Sequence, residues 1–209
     1  ALIPAFIVFF IAGLIAYLFM KFQPLGYTDL SLFISGMFQA PFLALAKTPI
    51  GGWGIMFIYQ FFASLLWTFG LHGPNVLAGF KAPTLDVLSL ENQQMFADGT
   101  VADAYSDQLA IFTGQFTAAY TQMGGSGATI GLIIATFLFS KREDYKAICK
   151  LAIMPGIFEI NEPIVFGIPI VLNPIMAIPF IIAPCAAIIL PGILIQMGLL
   201  PKLVIAVPW

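Results

Sequence analysis

Two carboxylates, Glu159 and Glu162, stand three residues apart in residues 154–169, an apolar stretch that also holds Asn161, Pro155, Pro163 and Pro169. An acidic side chain among membrane residues is costly at the bilayer centre, so it faces a pathway, a ligand or a partner group. Each proline removes a backbone donor and biases the residue before it toward extended conformations. The helix is therefore expected to break repeatedly here, and again through Pro174, Pro179, Pro184 and Pro191. Broken backbone at membrane depth is tolerated only where protein or a water-filled cavity surrounds it. The stretch is a candidate polar binding site.

A second group of polar residues lies at His72-Gly73-Pro74-Asn75, where the only histidine of the chain sits among backbone-opening residues. Its imidazole could reach a ligand there, and Asn75 adds both a donor and an acceptor. The plainer alternative is that His72 caps a helix end or bonds to a backbone carbonyl. The glycine-rich run at residues 122–129 lacks the lysine of a phosphate-binding loop and lies in an apolar run, so it predicts close helix packing or a hairpin tip.

Other chemistry is excluded by spacing and charge. Asp86, Glu91, Asp98, Asp103 and Asp107 lack the alternating ligands and glycine of a calcium loop, and they predict a solvated surface with no metal site. Cys149 and Cys185 form neither a disulfide framework nor a metal spacing, and Cys149, beside Lys146 and Lys150, is expected at a boundary. Eight basic residues, four of them in residues 141–150, leave no face for nucleic acid. No cofactor is expected.

The elements that must position these groups are those of an integral membrane protein, since 60% of the 209 residues are hydrophobic and only 9% charged. Residues 1–20 carry no charge and match the roughly 20 apolar residues of a spanning helix. Residues 27–46 mix Tyr27, Thr28, Asp29 and Ser31 with leucine and phenylalanine and predict an interfacial helix. Residues 48–80 hold a second span. Residues 83–108 form the longest aqueous connection, and residues 111–140 form a further span broken at the glycines. The basic cluster is cytoplasmic by the positive-inside rule, which puts Lys21 and Lys47 inside and the acidic connection outside. Ala1 is not Met and Trp209 ends an apolar run, so the chain is expected to be a fragment.

Asn161-Glu162-Pro163-Ile164-Val165-Phe166-Gly167, followed by Pro169-Ile170-Val171-Leu172-Asn173-Pro174, resembles the enzyme IIC component of the bacterial sugar phosphotransferase system. The His72 turn and the glycine break strengthen the resemblance, and the nearest branch is the lactose/cellobiose (diacetylchitobiose) class. The resemblance implies an all-α polytopic membrane protein with re-entrant, hairpin-like broken helices, here a fragment of a longer fold. It implies a division into residues 1–47, a first span with its connecting helix, and residues 48–209, the transport domain. It further implies a permease of the cell membrane that binds a disaccharide and presents its 6-hydroxyl to phosphorylated enzyme IIB, with enzyme IIA upstream and a homodimer as the full-length state. Transferase activity would arise only jointly with enzyme IIB.

The resemblance places His72, Asn75 and Glu162 at the sugar, with Asn161 and Gly73 beside them and Glu159 at the mouth. Glu162 and His72 are both candidates for the base that receives the hydroxyl proton. Two rival readings are an ion-coupled transporter using a Glu/His relay and a non-transporting structural subunit.

Overall fold

A computed structural model describes residues 2–23 and 30–206, and every regular element among them is helical. The chain divides into two compact units, residues 1–44 and 45–209.

In the first unit α1, Leu2–Phe22, has 21 residues, about 31 Å at 1.5 Å per residue, which suffices for the hydrocarbon. Its Phe6, Val8, Phe9 and Phe10 side chains are exposed, as lipid contact requires. The helix α2, Leu30–Ala46, falls within the stretch expected to be interfacial. Residues 27–29, on which that expectation partly rested, lie outside the described residues.

The second unit is organised on α3, Pro49–Thr68. Thr48 caps it, accepting from the Gly51 N–H at 3.0 Å, and Pro49 occupies the first turn, where its missing donor costs nothing. Helices α11, Pro174–Ala186, and α12, Ile189–Gln196, run antiparallel to α3. At one end the Leu172 N–H donates to the Thr68 carbonyl at 2.8 Å; at the other a Cβ on Gly192 would stand 2.5 Å from Trp53. By length and composition, residues 49–68 and 174–196 are each long and apolar enough to cross a membrane.

Pro179 and Pro184 lie inside α11 without ending it, contrary to the expectation that they interrupt the chain. Asn173 explains the helix start, because its Oδ1 accepts from Ile175 and Met176 N–H groups at 3.1 and 3.4 Å.

Residues 73–97 overturn the expected topology. Short helices α4, Gly73–Val76, and α5, Ala78–Lys81, a π turn at Ala82–Asp86 and α6, Val87–Ala97, return alongside α3. Gly73 abuts the Ala63 backbone so closely that no Cβ fits. Farther along, Glu91 pairs with Lys47 at 2.8 Å, Asn92 bonds to Ala110 at 2.8 Å, and Lys202 donates to the Ser106 carbonyl at 2.6 Å. The acidic connection and Lys47 thus share one end of the unit. No orientation puts Lys47 inside and these acids outside a hydrocarbon layer of about 30 Å.

Residues 111–140 are likewise not one continuous crossing. Helix α7, Gly114–Phe116, leads into a π turn at Thr117–Thr121, a break, and α8, Thr129–Phe139. At 11 residues α8 is too short to span alone. It pairs with α9, Glu143–Ile157, around the basic cluster, and α10, Glu162–Gly167, follows a second break.

Trp67, Ile133, Cys149, Ile164, Val165 and Phe180 join α3, α8, α9, α10 and α11 in one core. Cys149 is fully buried there, although Lys146 and Lys150 flank it in sequence. Its place on the inner face of α9 outweighs its lysine neighbours in sequence.

Candidate functional site

The site is built where two backbone breaks meet. Gly124, Gly125 and Gly127 adopt φ of 82°, 87° and 87°, a left-handed conformation open to glycine at little cost. Gly125 rests against the Glu159 carbonyl, leaving no room for a Cβ. Glu159 itself has φ of 62°, which turns the chain out of α9. Asn161 Nδ2 then donates to the Ser126 carbonyl at 2.8 Å.

Between these breaks and the end of α3 lies a cavity of about 460 Å³, lined by His72, Pro74, Gln122, Gly125, Ser126 and residues 159–162. That volume lies within the roughly 300–1,000 Å³ of small-molecule sites. His72 and Glu162, ninety residues apart in sequence, line the same hollow, with Glu159 and Asn161. Asn75 and Gly73 do not line it. Gly73 is buried beneath the turn, and the Asn75 backbone N–H donates to His72 Nδ1 at 3.3 Å.

That bond joins the two alternatives for the histidine. Nδ1 caps α4, so in the neutral ring the proton resides on Nε2, which remains available as a donor. The Trp67 ring, almost fully buried, packs against the imidazole at 4.7 Å between centroids and 48° between planes.

The Glu159 and Glu162 carboxylates have no hydrogen-bond or ion-pair partner among the described residues, and both residues are half-buried. Asn161 is only 3% exposed, and one of its two amide protons is already engaged. Gln122 adds an amide to the lining. The arrangement offers carboxylate acceptors, an imidazole donor and amides of both kinds, the mixture that a ring of hydroxyls requires.

Gln122 and Ser126 were not among the expected site residues, although both belong to the glycine break that marked this region. An amide in a charge-free run was the signal for Gln122. Ser126 contributes through its carbonyl, for which side-chain type gives no cue.

Two other cavities lack this chemistry. A groove of about 540 Å³ between α3 and α11, lined by Phe57, Phe61, Ile182 and Cys185 among others, has almost no polar surface. A hollow of about 390 Å³ beside Lys47 and Lys202 is lined partly by charged groups and lies at the far end of α3.

The model of the family described as Phosphotransferase system, EIIC, matches residues 1–184. The chain belongs to the EIIC family. Over its whole length this EIIC chain is 38% identical to the cellobiose-specific EIIC component of Lactococcus lactis and covers 44% of that protein. It is 37% identical, again over its whole length, to the lichenan permease IIC component of Bacillus subtilis, covering 44% of it. Among solved structures it is similar to the transporter ChbC, the IIC component of the N,N'-diacetylchitobiose-specific phosphotransferase system. The TM-score is 0.71 at 32% identity, over 99% of this chain and 45% of ChbC. The EIIC chain thus spans less than half the length of these relatives, and its all-helical fold is that of an EIIC membrane component.

Proposed function

We propose that the chain is the sugar-binding part of a multi-pass permease of the bacterial cell membrane, selective for β-linked disaccharides of the cellobiose, diacetylchitobiose or lactose type. The observation that carries this reading is the hollow shared by His72 and Glu162 in a member of the EIIC family. Residues 48–209 form the transport domain in this reading, and residues 1–47 its first span and connector. The names of the relatives supply the substrate class.

In the reaction, the sugar 6-hydroxyl oxygen attacks the phosphorus of a phosphocysteine on enzyme IIB, itself recharged by enzyme IIA. The new P–O bond forms as the P–S bond breaks, the thiolate leaves, and the hydroxyl proton passes to a base. Because His72 Nδ1 is engaged with the Asn75 N–H, its open nitrogen bears a proton and donates. Glu162, an unpaired carboxylate in the same cavity, takes the role of base. Glu159 and Asn161 complete the binding set, and a homodimer is the assembled state.

The test is a binding screen of β-linked disaccharides against the purified protein, with phosphosugar formation measured with and without phosphorylated enzyme IIB. The expected result is binding of at least one such sugar and a phosphosugar product only with enzyme IIB. Accumulation of unmodified sugar that collapses with the proton gradient would replace this reading with ion-coupled transport.

A further inference from the structure

Behind the cavity, α3 carries a row of polar side chains in its most buried part. Gln60, Ser64 and Trp67 are 0%, 0% and 2% exposed, and their spacing of four and then three residues puts them on one helix face. Gln60 Nε2, Ser64 Oγ and Trp67 Nε1 have no hydrogen-bond partner among the described residues. The Gln60 Oε1 atom and the Thr117 carbonyl each lie 3.0 Å from Thr121 Oγ1. That hydroxyl has a single proton, so whichever way the Gln60 amide is turned, one of its polar ends stays open.

Packing alone does not call for these residue types, since Ile55, Met56 and Ala63 fill other buried positions of α3. Native interiors meet buried polar groups with protein partners or with bound water. The row does not itself line the cavity, but each of its ends is one residue removed from a side chain that does. Trp67 packs on His72, and Thr121, which bonds to Gln60, is followed directly by the cavity residue Gln122. The segment that faces Gln60 is the π turn at Thr117–Thr121, an irregularity common beside functional sites.

We propose that this face of α3 is an inner polar subsite, continuous with the cavity, whose ligand is a hydroxyl oxygen: water at rest, and a saccharide hydroxyl when sugar moves inward. The saccharide part rests on the transport reading above; the hydrated part does not. Water and a sugar hydroxyl each donate and accept, so one replaces the other on the same three groups.

The test is hydroxyl-radical footprinting in 18O-labelled water on the purified protein in lipid nanodiscs, read at Trp67 and at Tyr59, whose hydroxyl faces Gln122. Both side chains are at most 2% exposed, so bulk solvent does not reach them. The expected result is 18O uptake at both, lowered several-fold in the Gln60→Leu/Ser64→Ala double variant and lowered in the native sequence by cellobiose. Background labelling of the native sequence overturns the subsite, whether or not the double variant folds. Labelling that cellobiose leaves unchanged, in a sample that binds cellobiose, overturns the saccharide part. If cellobiose does not bind at all, the transport reading for that sugar fails, and label uptake still supports the hydrated subsite.

Discussion

Asn161 donates from Nδ2 to the Ser126 carbonyl across 2.8 Å, tying together two backbone breaks 35 residues apart. Asn161→Asp removes the donor and turns an acceptor toward that carbonyl. A buried group left unpaired costs about 1–3 kcal/mol, so this variant should melt below the unchanged protein. Asn161→Ala should fall between the two. Sugar affinity should drop with stability, because Glu162 is the next residue and its position follows that of the break. A thermal-shift series in detergent, paired with a binding titration, checks both.

Gly125 is irreplaceable for a separate reason. It has φ of 87° and no space for a Cβ beside the Glu159 carbonyl. Gly125→Ala should therefore cost about 1–2 kcal/mol in left-handed backbone strain alone, plus roughly 1–3 kcal/mol of overpacking. Gly131, within α8, has open space where its Cβ would lie. There Gly131→Ala should gain up to about 1 kcal/mol from helix propensity. Melting temperatures of the pair, taken side by side, separate strain from a general intolerance of alanine.

The contrast between those glycines marks what was legible in the sequence. Three glycines in a charge-free run announced the break, and the prolines around Glu162 announced the second. That the two breaks touch depends on the Asn161–Ser126 and Gly125–Glu159 contacts, which join distant segments and leave no local pattern. Residues 73–97 were misread as aqueous from residue 83 onward because acids were counted without their partners. Lys81 pairs with Asp86 at 3.0 Å and Lys47 with Glu91 at 2.8 Å, so part of that charge is neutralised beside α3. Pro179 and Pro184 looked like breaks, but α11 is capped by Asn173 and packed on α3, and it continues through both.

Those ion pairs carry a topological consequence. Lys47 and the acidic connection meet at one end of α3, so both are accessible from the same face of the membrane. Lys47→Cys and Asp98→Cys should react with a membrane-impermeant maleimide from the same side in oriented vesicles. The surface pair lost in the first variant is worth only about 0–1 kcal/mol, so the fold should survive. Labelling from opposite sides would overturn the arrangement of residues 73–97.

His72 combines two roles that substitution can separate. Its Nδ1 caps α4, while Nε2 is free to donate. Asparagine is a good cap with a shorter reach, so His72→Asn should keep the melting temperature near that of the unchanged protein and lose sugar affinity. His72→Phe loses both, with a stability cost of about 1 kcal/mol for the missing cap. Equal affinity in His72→Asn and the unchanged protein would confine the histidine to capping.

Glu162→Gln keeps the size of the side chain, removes its charge and replaces one acceptor oxygen with a donor. A hydrogen bond to a charged group contributes about 1.5–3 kcal/mol, so affinity should fall by roughly tenfold to a hundredfold at 1.4 kcal/mol per decade. Phosphosugar formation should fall further, by about 10²–10⁴, if the carboxylate also takes the hydroxyl proton. Glu159 lines the same cavity from the turn after α9. Glu159→Gln should weaken binding less and leave the rate at saturating sugar nearly unchanged. The decisive comparison is the rate of phosphosugar formation at saturating sugar in the two variants. A loss confined to Glu162→Gln identifies the base, whereas equal losses would assign both carboxylates to binding alone.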